Sequence, residues 1–142
     1  MSRNVILPRP FLKWAGGKTQ LLDRFERLYP GGPIPRYVEP FVGSGAVFFH
    51  VARILQPRDV VLADGNEELI NAYEVIQGDV ERLIRTLSRH KRDHSEAHYY
   101  EVREQAPSIL GKVARAARLI YLNKTCFNGL YRVNSRGQFN VP

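Results

Sequence analysis

The 142-residue sequence predicts an α/β fold with a parallel sheet, followed by a mostly helical second part. Two observations carry this. In the first half, short apolar runs ending in glycine-containing turns alternate with helical patterns. From about Val80 that alternation stops and helical spacing takes over. A third observation concerns partners: the formal net charge is +7, and no acidic residue follows Glu104.

The elements follow in order. Thr19 to Tyr29 places Leu21, Leu22, Phe25, Leu28 and Tyr29 on one helical stripe, closed by Pro30-Gly31-Gly32-Pro33. Arg36 to Val42 is a strand running into Gly43-Ser44-Gly45, with a helix expected over Ala46 to Leu55. Asp59 to Ala63 is the second strand. It ends at Asp64-Gly65-Asn66, where Asn66 can cap a helix that opens with Glu67 and Glu68. His90 to Ser95 reads as a polar connection. Leu110 to Lys124 is an amphipathic helix whose polar face carries Lys112, Arg115 and Arg118. Leu130 to Val133 and Gln138 to Val141, joined across residues 134–137, read as a hairpin. The expected division is 1–79 for an α/β part and 80–142 for a helical part with a terminal hairpin.

Composition narrows the class. Hydrophobic residues make up 44% and charged residues 25%, as in a globular protein. No apolar run has membrane-spanning length, and Arg3, Pro8, Arg9 and Pro10 interrupt any signal core. Cys126 is the only cysteine, so no internal disulfide can form, and a cytoplasmic location is expected. The basic C-terminal third, with Lys112, Arg115, Arg118, Lys124, Arg132 and Arg136, reads as a surface facing a nucleic acid.

Two glycine-rich segments bear on ligands. Ala15-Gly16-Gly17-Lys18-Thr19 ends like a phosphate-binding loop. That loop needs a glycine where Leu12 stands, and a buried strand where Pro8 and Pro10 stand. A nucleoside-triphosphatase is therefore the weaker reading. Glu39-Pro40-Phe41-Val42-Gly43-Ser44-Gly45 ends a strand in Gly-x-Gly before a helix, and Asp64 ends the next strand. The glycines let a ligand approach the backbone, and an acid there can accept hydrogen bonds from ribose hydroxyls. A dinucleotide site would need a third glycine where Phe48 stands, which favours a nucleoside without pyrophosphate, such as S-adenosylmethionine.

Four blocks, FLKWAGGK, YVEPFVGSGAVFF, LADGNEELINAY and YLNKTCFNGLYRVNSRGQFNVP, occur in the order found in the Dam-type (D12 class) DNA adenine-N6 methyltransferases. The sequence resembles that family from about Pro10 to Pro142. The resemblance implies a Rossmann-like S-adenosylmethionine-dependent methyltransferase sheet, incomplete in this chain. It also implies a helical target-recognition insert ending in a β-hairpin. The implied reaction is methyl transfer to adenine in a short duplex DNA site, GATC-like in many members. By this resemblance Trp14, Lys18, Pro40, Phe41, Gly43 and Asp64 bind S-adenosylmethionine, with Trp14 offering its ring face to the sulfonium and Lys18 meeting the methionine carboxylate. Lys13, Phe127, Asn128, Leu130, Arg132 and Pro142 face double-stranded DNA. Arg132 is a reader of guanine or, alternatively, a phosphate contact. Phe127 would fill the gap left by an extruded base.

The departures matter as much. The family's Asp-Pro-Pro-Tyr block, which holds the target adenine, is absent, so no catalytic residue is assigned. An N-terminal fragment of a longer enzyme is expected. The alternatives are a truncated, non-catalytic remnant and a second chain that supplies the block. Gly65 stands where the family tends to carry an aliphatic residue. His90, His94 and His98 share a helical spacing that zinc sites can have, but Arg89, Lys91 and Arg92 crowd them with positive charge. A solvated segment without metal is expected, and Cys126 is expected to be a packing residue.

Overall fold

The computed structural model describes residues 7–142, in two compact units. The first holds residues 7–11 and 16–63, the second residues 12–15 and 64–142.

In the first unit, a 3-10 turn over Thr19–Leu21 leads into α1 (Leu22–Glu26). This helix is shorter than the expected Thr19 to Tyr29. Leu28 and Tyr29 bond back to Phe25 and Glu26 through tight i→i+3 contacts of 2.9 and 3.2 Å. The residue before Pro30 disfavours helical geometry, and Leu28 is left 81% exposed. Strands β1 (Arg36–Glu39) and β2 (Asp59–Leu62) pair in parallel, Arg36 opposite Asp59 through Glu39 opposite Leu62. Helix α2 (Ala46–Ile54) joins them. The backbone pairing continues past both strand ends: Ala63 N–H donates to the Glu39 carbonyl and Val42 N–H to the Ala63 carbonyl, each at 2.9 Å. The carboxyl ends of the strands thus lie side by side. Val42, Ala46, Val51 and Leu55 are buried, while Val38, Val60 and Val61 of the sheet stay exposed.

The second unit is helical: α3 (Glu67–Gly78), α4 (Val80–Arg92), α5 (Glu96–Glu104) and α6 (Lys112–Thr125), with a 3-10 turn over Pro107–Ile109. Asn66 caps α3 as expected, its Oδ1 accepting the Leu69 N–H at 3.0 Å. Helix α6 packs against α3, α4 and α5. Ala116 and Ala117 are fully buried, and small side chains there let neighbouring helices approach closely. Asn71, buried in α3, donates to the Lys112 carbonyl at 2.9 Å, which ties α3 to the first turn of α6. Tyr99, Val102, Tyr121, Leu122, Cys126, Phe139 and Val141 form one core cluster. Burial pushes the Tyr99 phenol up to about 12, and its hydroxyl donates to the Val141 carbonyl at 2.9 Å. Among the described residues, no helix is long and apolar enough to cross a membrane.

Four expectations change. Arg118 does not lie on a polar face: it is 6% exposed, donating from Nε to the Val102 carbonyl at 2.9 Å and from Nη2 to the Arg103 carbonyl at 2.7 Å. These are open carbonyls of the last turn of α5, where a cation also suits the helix dipole. Arg115 is likewise committed, its Nε meeting Glu68 Oε1 at 3.1 Å. The connection at His90 to Ser95 shrinks to residues 93–95 because α4 runs on to Arg92. The histidines are not simply solvated either. His90 stacks on Tyr121 with centroids 4.9 Å apart, and its Nδ1 lies 3.0 Å from Nε2 of His98. His94 Nδ1 meets the Tyr121 hydroxyl at 2.9 Å.

The terminal hairpin is reduced to one antiparallel bridge, Val133 with Phe139. The Asn134 side chain takes over the turn, its Oδ1 accepting the Arg136 and Gln138 N–H groups at 2.9 and 3.0 Å. Beyond the bridge, Val141 turns into the core rather than continuing a ladder.

Replacing Arg118 by alanine orphans two buried carbonyls and is expected to cost about 2–4 kcal/mol, measured as a lower urea midpoint. The His90 imidazolium is disfavoured by burial first, then by His98 and Arg89, with Asp93 opposing, so its folded-state value falls below 6.5. A depressed folded value means stability that is full above about pH 6.5 and is lost as pH falls through the lower folded value. The melting temperature should therefore drop between pH 7.5 and 5, and His90→Gln should flatten that dependence; an unchanged slope refutes the assignment.

Candidate functional site

Within the first unit the chemistry gathers at the carboxyl end of β1. Pro40, Phe41 and Gly43 form the turn into α2, with Gly43 at φ 51° and Gly45 at φ 78°. Positive φ is where glycine costs least, and the turn brings backbone rather than side chain to its outer surface. Phe41 is 73% exposed. Glu39 is buried, and its carboxylate accepts the Tyr37 hydroxyl at 2.8 Å and the Phe48 N–H in the first turn of α2. Gly45, the residue before α2, has no side chain to cap the helix, so Glu39 does this from the strand. Burial raises the Glu39 carboxyl above its ordinary range, opposed by the Tyr37 bond, the Lys18 ammonium and the Phe48 bond. Lys18 thus acts on the same end of the sheet as Pro40, Phe41 and Gly43. The Gly-Lys-Thr segment follows no strand among the described residues and opens a 3-10 turn instead, which does not make a phosphate loop.

Asp64, the residue after the β2 ladder, belongs to the second unit, where its Oδ1 accepts the Asn66 N–H at 3.0 Å. Gly65 beside it has open space around its Cα.

The second unit joins residues far apart in sequence. Asn123, 3% exposed, accepts the Lys13 N–H on Oδ1 at 3.0 Å. Its Nδ2 donates to the Lys13 carbonyl at 2.8 Å and the Gly129 carbonyl at 2.9 Å. The turn over Phe127–Gly129 holds Asn128 at φ 55° and Gly129 at φ 65°. A Cβ on Gly129 would meet the Lys13 side chain at 2.7 Å, so the glycine is required for this approach. Trp14 stacks on Tyr131 with centroids 5.2 Å apart, and Tyr131 in turn meets Phe139 edge-on at 5.9 Å. The Phe127 N–H donates to the Pro142 carbonyl at 2.9 Å, tying the turn to the far end of residues 130–142. Phe127 and Leu130 point outward, 62% and 41% exposed. Arg132 is held by Asn140, Nε to Oδ1 at 2.8 Å and Nη2 to the carbonyl at 3.0 Å.

Lys13, Trp14, Phe127, Asn128, Leu130, Arg132 and Pro142 are therefore in one unit, and Lys18, Pro40, Phe41 and Gly43 in the other. Sequence reading missed Glu39, Asn123 and Asn140 as positioning groups. Asn123 gave no readable signal, since on the helical pattern it falls beside Lys112 among the polar positions. Cys126 is buried, as expected, with its thiol raised by burial and directed to the Leu130 carbonyl at 3.3 Å. Among the described residues no group of three or more His, Cys, Asp or Glu side chains could hold a metal ion.

Asn123→Ala would leave the Lys13 N–H, the Lys13 carbonyl and the Gly129 carbonyl unpaired. The expected cost is about 2–4 kcal/mol, with faster amide exchange at Lys13; exchange unchanged there would show the tie to be dispensable.

The sequence was compared with known proteins. The family model for the D12 class N6 adenine-specific DNA methyltransferases matches residues 14–142. A type II methyltransferase of Methanocaldococcus jannaschii is 44% identical over 148 residues, covering 94% of this chain and 51% of the relative. A type II methyltransferase of Lactococcus lactis is 42% identical, covering 100% and 50%. The DNA adenine methylase of Serratia marcescens is 41% identical, covering 94% and 48%. The chain spans about half the length of these curated relatives. With a family model over residues 14–142 and relatives above 40% identity, the chain belongs to the D12 class N6 adenine-specific DNA methyltransferases.

Proposed function

We propose that this chain carries the cofactor-binding and target-recognition parts of an enzyme that methylates adenine N6 in a short, GATC-like site of double-stranded DNA. Residues 1–79 would form the cofactor-binding part of a Rossmann-like sheet, and residues 80–142 the DNA-recognition part. The observation that carries the reading is the Asn123 tie, which fastens Lys13, in the Trp-Ala-Gly-Gly-Lys block, to the turn of the Phe127-to-Pro142 block. These two blocks are the ones assigned to cofactor and DNA.

The residues fit S-adenosylmethionine on their own chemistry. The two left-handed glycines, Gly43 and Gly45, leave bare backbone in the turn after β1 for a close ligand. Asp64 offers acceptors to ribose hydroxyls. Lys18 suits the methionine carboxylate, and Glu39 beside it suits the amino group. Trp14 has one face against Tyr131, so any contact with the sulfonium uses its other face or its edge. Pro40 and Phe41 supply apolar walls. Bound there, S-adenosylmethionine would supply an electrophilic methyl group.

On the DNA side, Lys13 and Asn128 would sit at the extruded nucleotide, with Leu130 and Pro142 against base edges. Phe127, exposed and on a rigid turn, would enter the stack where the adenine leaves. Arg132 would read guanine O6 and N7, pre-aimed by its two bonds to Asn140. The Asp-Pro-Pro-Tyr groups are not among the 142 residues, so by this reading transfer requires a polypeptide that brings them.

The test is methyl transfer from labelled S-adenosylmethionine to unmethylated GATC duplex, by this chain alone and with the C-terminal region of a relative added. Transfer only in the supplemented reaction is expected, together with a rise in melting temperature with S-adenosylmethionine and none with ATP and magnesium. No melting shift, and no transfer after supplementation, would leave only a non-catalytic remnant. Arg132→Ala should cost about 1–3 kcal/mol of discrimination at one base pair; equal weakening on every duplex would make Arg132 a phosphate contact.

A further inference from the structure

Helix α4 lies outside all four sequence blocks that carry the family resemblance, yet it holds more arginine and lysine than any other described element. It holds Arg82, Arg85, Arg89, Lys91 and Arg92 against one acid, Glu81. Their placement is not even around the helix. Leu83 is buried, Thr86, Leu87 and His90 are half-buried, and these mark the inward face. At about 100° per residue, Arg82, Arg85, Arg89 and Arg92 fall within a sector of about 80° on the side of the helix away from Leu83. All four are exposed.

Intramolecular partners do not account for this stripe. Arg82 reaches Asp79 only at 3.9 Å, and Arg92 pairs with its neighbour Asp93 at 2.8 Å. Among the described residues, no carboxylate lies within ion-pair distance of Arg85 or Arg89; Arg89 meets only the Thr86 hydroxyl, at 3.2 Å. Arg82, Arg85, Thr86 and Arg89 line one shallow surface depression. Three guanidinium groups around one hollow present donors suited to phosphate oxygens, while the Thr86 hydroxyl is already used, donating to the Arg82 carbonyl at 2.9 Å and accepting from Arg89. Four like charges on one helix face also repel each other, so the stripe costs stability unless an anion covers it.

We propose that the α4 arginine stripe is a second DNA contact, which holds the phosphate backbone of duplex flanking the target and reads no bases. Arg82 to Arg92 spans ten residues, about 15 Å along the helix. That equals the rise of about four phosphates on one strand. A lipid headgroup layer has the same charge but no linear spacing to match, and a single depression-lined row fits a strand better than a plane. The proposal rests on the DNA-methyltransferase reading for its choice of polyanion.

The experiment compares the 142-residue chain, Arg85→Gln/Arg89→Gln and the charge-keeping Arg85→Lys/Arg89→Lys by fluorescence anisotropy across a salt series. The probes are a GATC duplex, a duplex of the same length with no GATC, and phosphatidylserine vesicles. Both side-chain positions are exposed, so the helix should persist, checked by circular dichroism. The Gln variant should bind both duplexes more weakly, and its slope of log affinity against log salt should shrink by about two. The Lys variant should keep the slope. Unchanged slopes on DNA, or a loss confined to vesicles, overturn the proposal while leaving the function reading intact. Binding that ignores GATC but still loses two in slope upholds the stripe and counts against target recognition by this chain. No duplex binding by the unaltered chain overturns both.

Discussion

In the second unit, the residues proposed to meet cofactor and DNA depend on how one side-chain amide is satisfied. Asn123 sits in the last turns of α6, 3% exposed, and has a partner for three of its hydrogen-bonding positions. A buried amide without partners would cost several kcal/mol, so its neighbours are constrained as strongly as it is. Two of the three bonds fix Lys13 from both sides of its backbone, and the third fixes Gly129. From Gly129 the constraint passes to the left-handed turn at Asn128, and then to Phe127, whose amide holds Pro142. Residues that touch solvent here take their direction from one that does not.

A similar transfer of constraint operates at the sheet. Gly45 opens α2 in a left-handed conformation that a side chain would resist, and so forfeits the usual cap. Glu39 supplies it from the strand, at the cost of a buried carboxyl raised above its ordinary range. The backbone at Gly43 and Gly45 stays bare, and the carboxyl behind it is held in place by Tyr37, Phe48 and Lys18. Flexibility of composition at the turn and rigidity of support beneath it arise together.

The sequence made the alternation of strand, turn and helix legible because glycine turns and a capping asparagine punctuate it; Asn66 caps α3 as read. It misplaced Arg118 because helical periodicity gives only an angle. A long side chain can leave that angle, and here the open carbonyls of α5 draw it inward. The histidines misled for a related reason. Their spacing predicts a shared face, but only the fold brings Tyr121 against that face. Of the candidate site, the residues proposed for chemistry are those that local motifs and resemblance nominate. The groups that aim them, Asn123 and Asn140, were not, since an amide's partners lie elsewhere in the chain.

Residues 12–15 belong to the second unit although the chain on both sides belongs to the first. Their main anchor lies 110 positions away. Closing so long a loop is slow, because its entropy cost comes before any contact rewards it. During synthesis, the segment carrying Lys13 and Trp14 must wait until Asn123 has emerged. The first unit, whose strand pairing spans only 23 residues from Arg36 to Asp59, has no such delay. The order of these two events is thus set: the sheet and its glycine turn can form early, whereas the aromatic and lysine of the first block reach their places only once Asn123 is available.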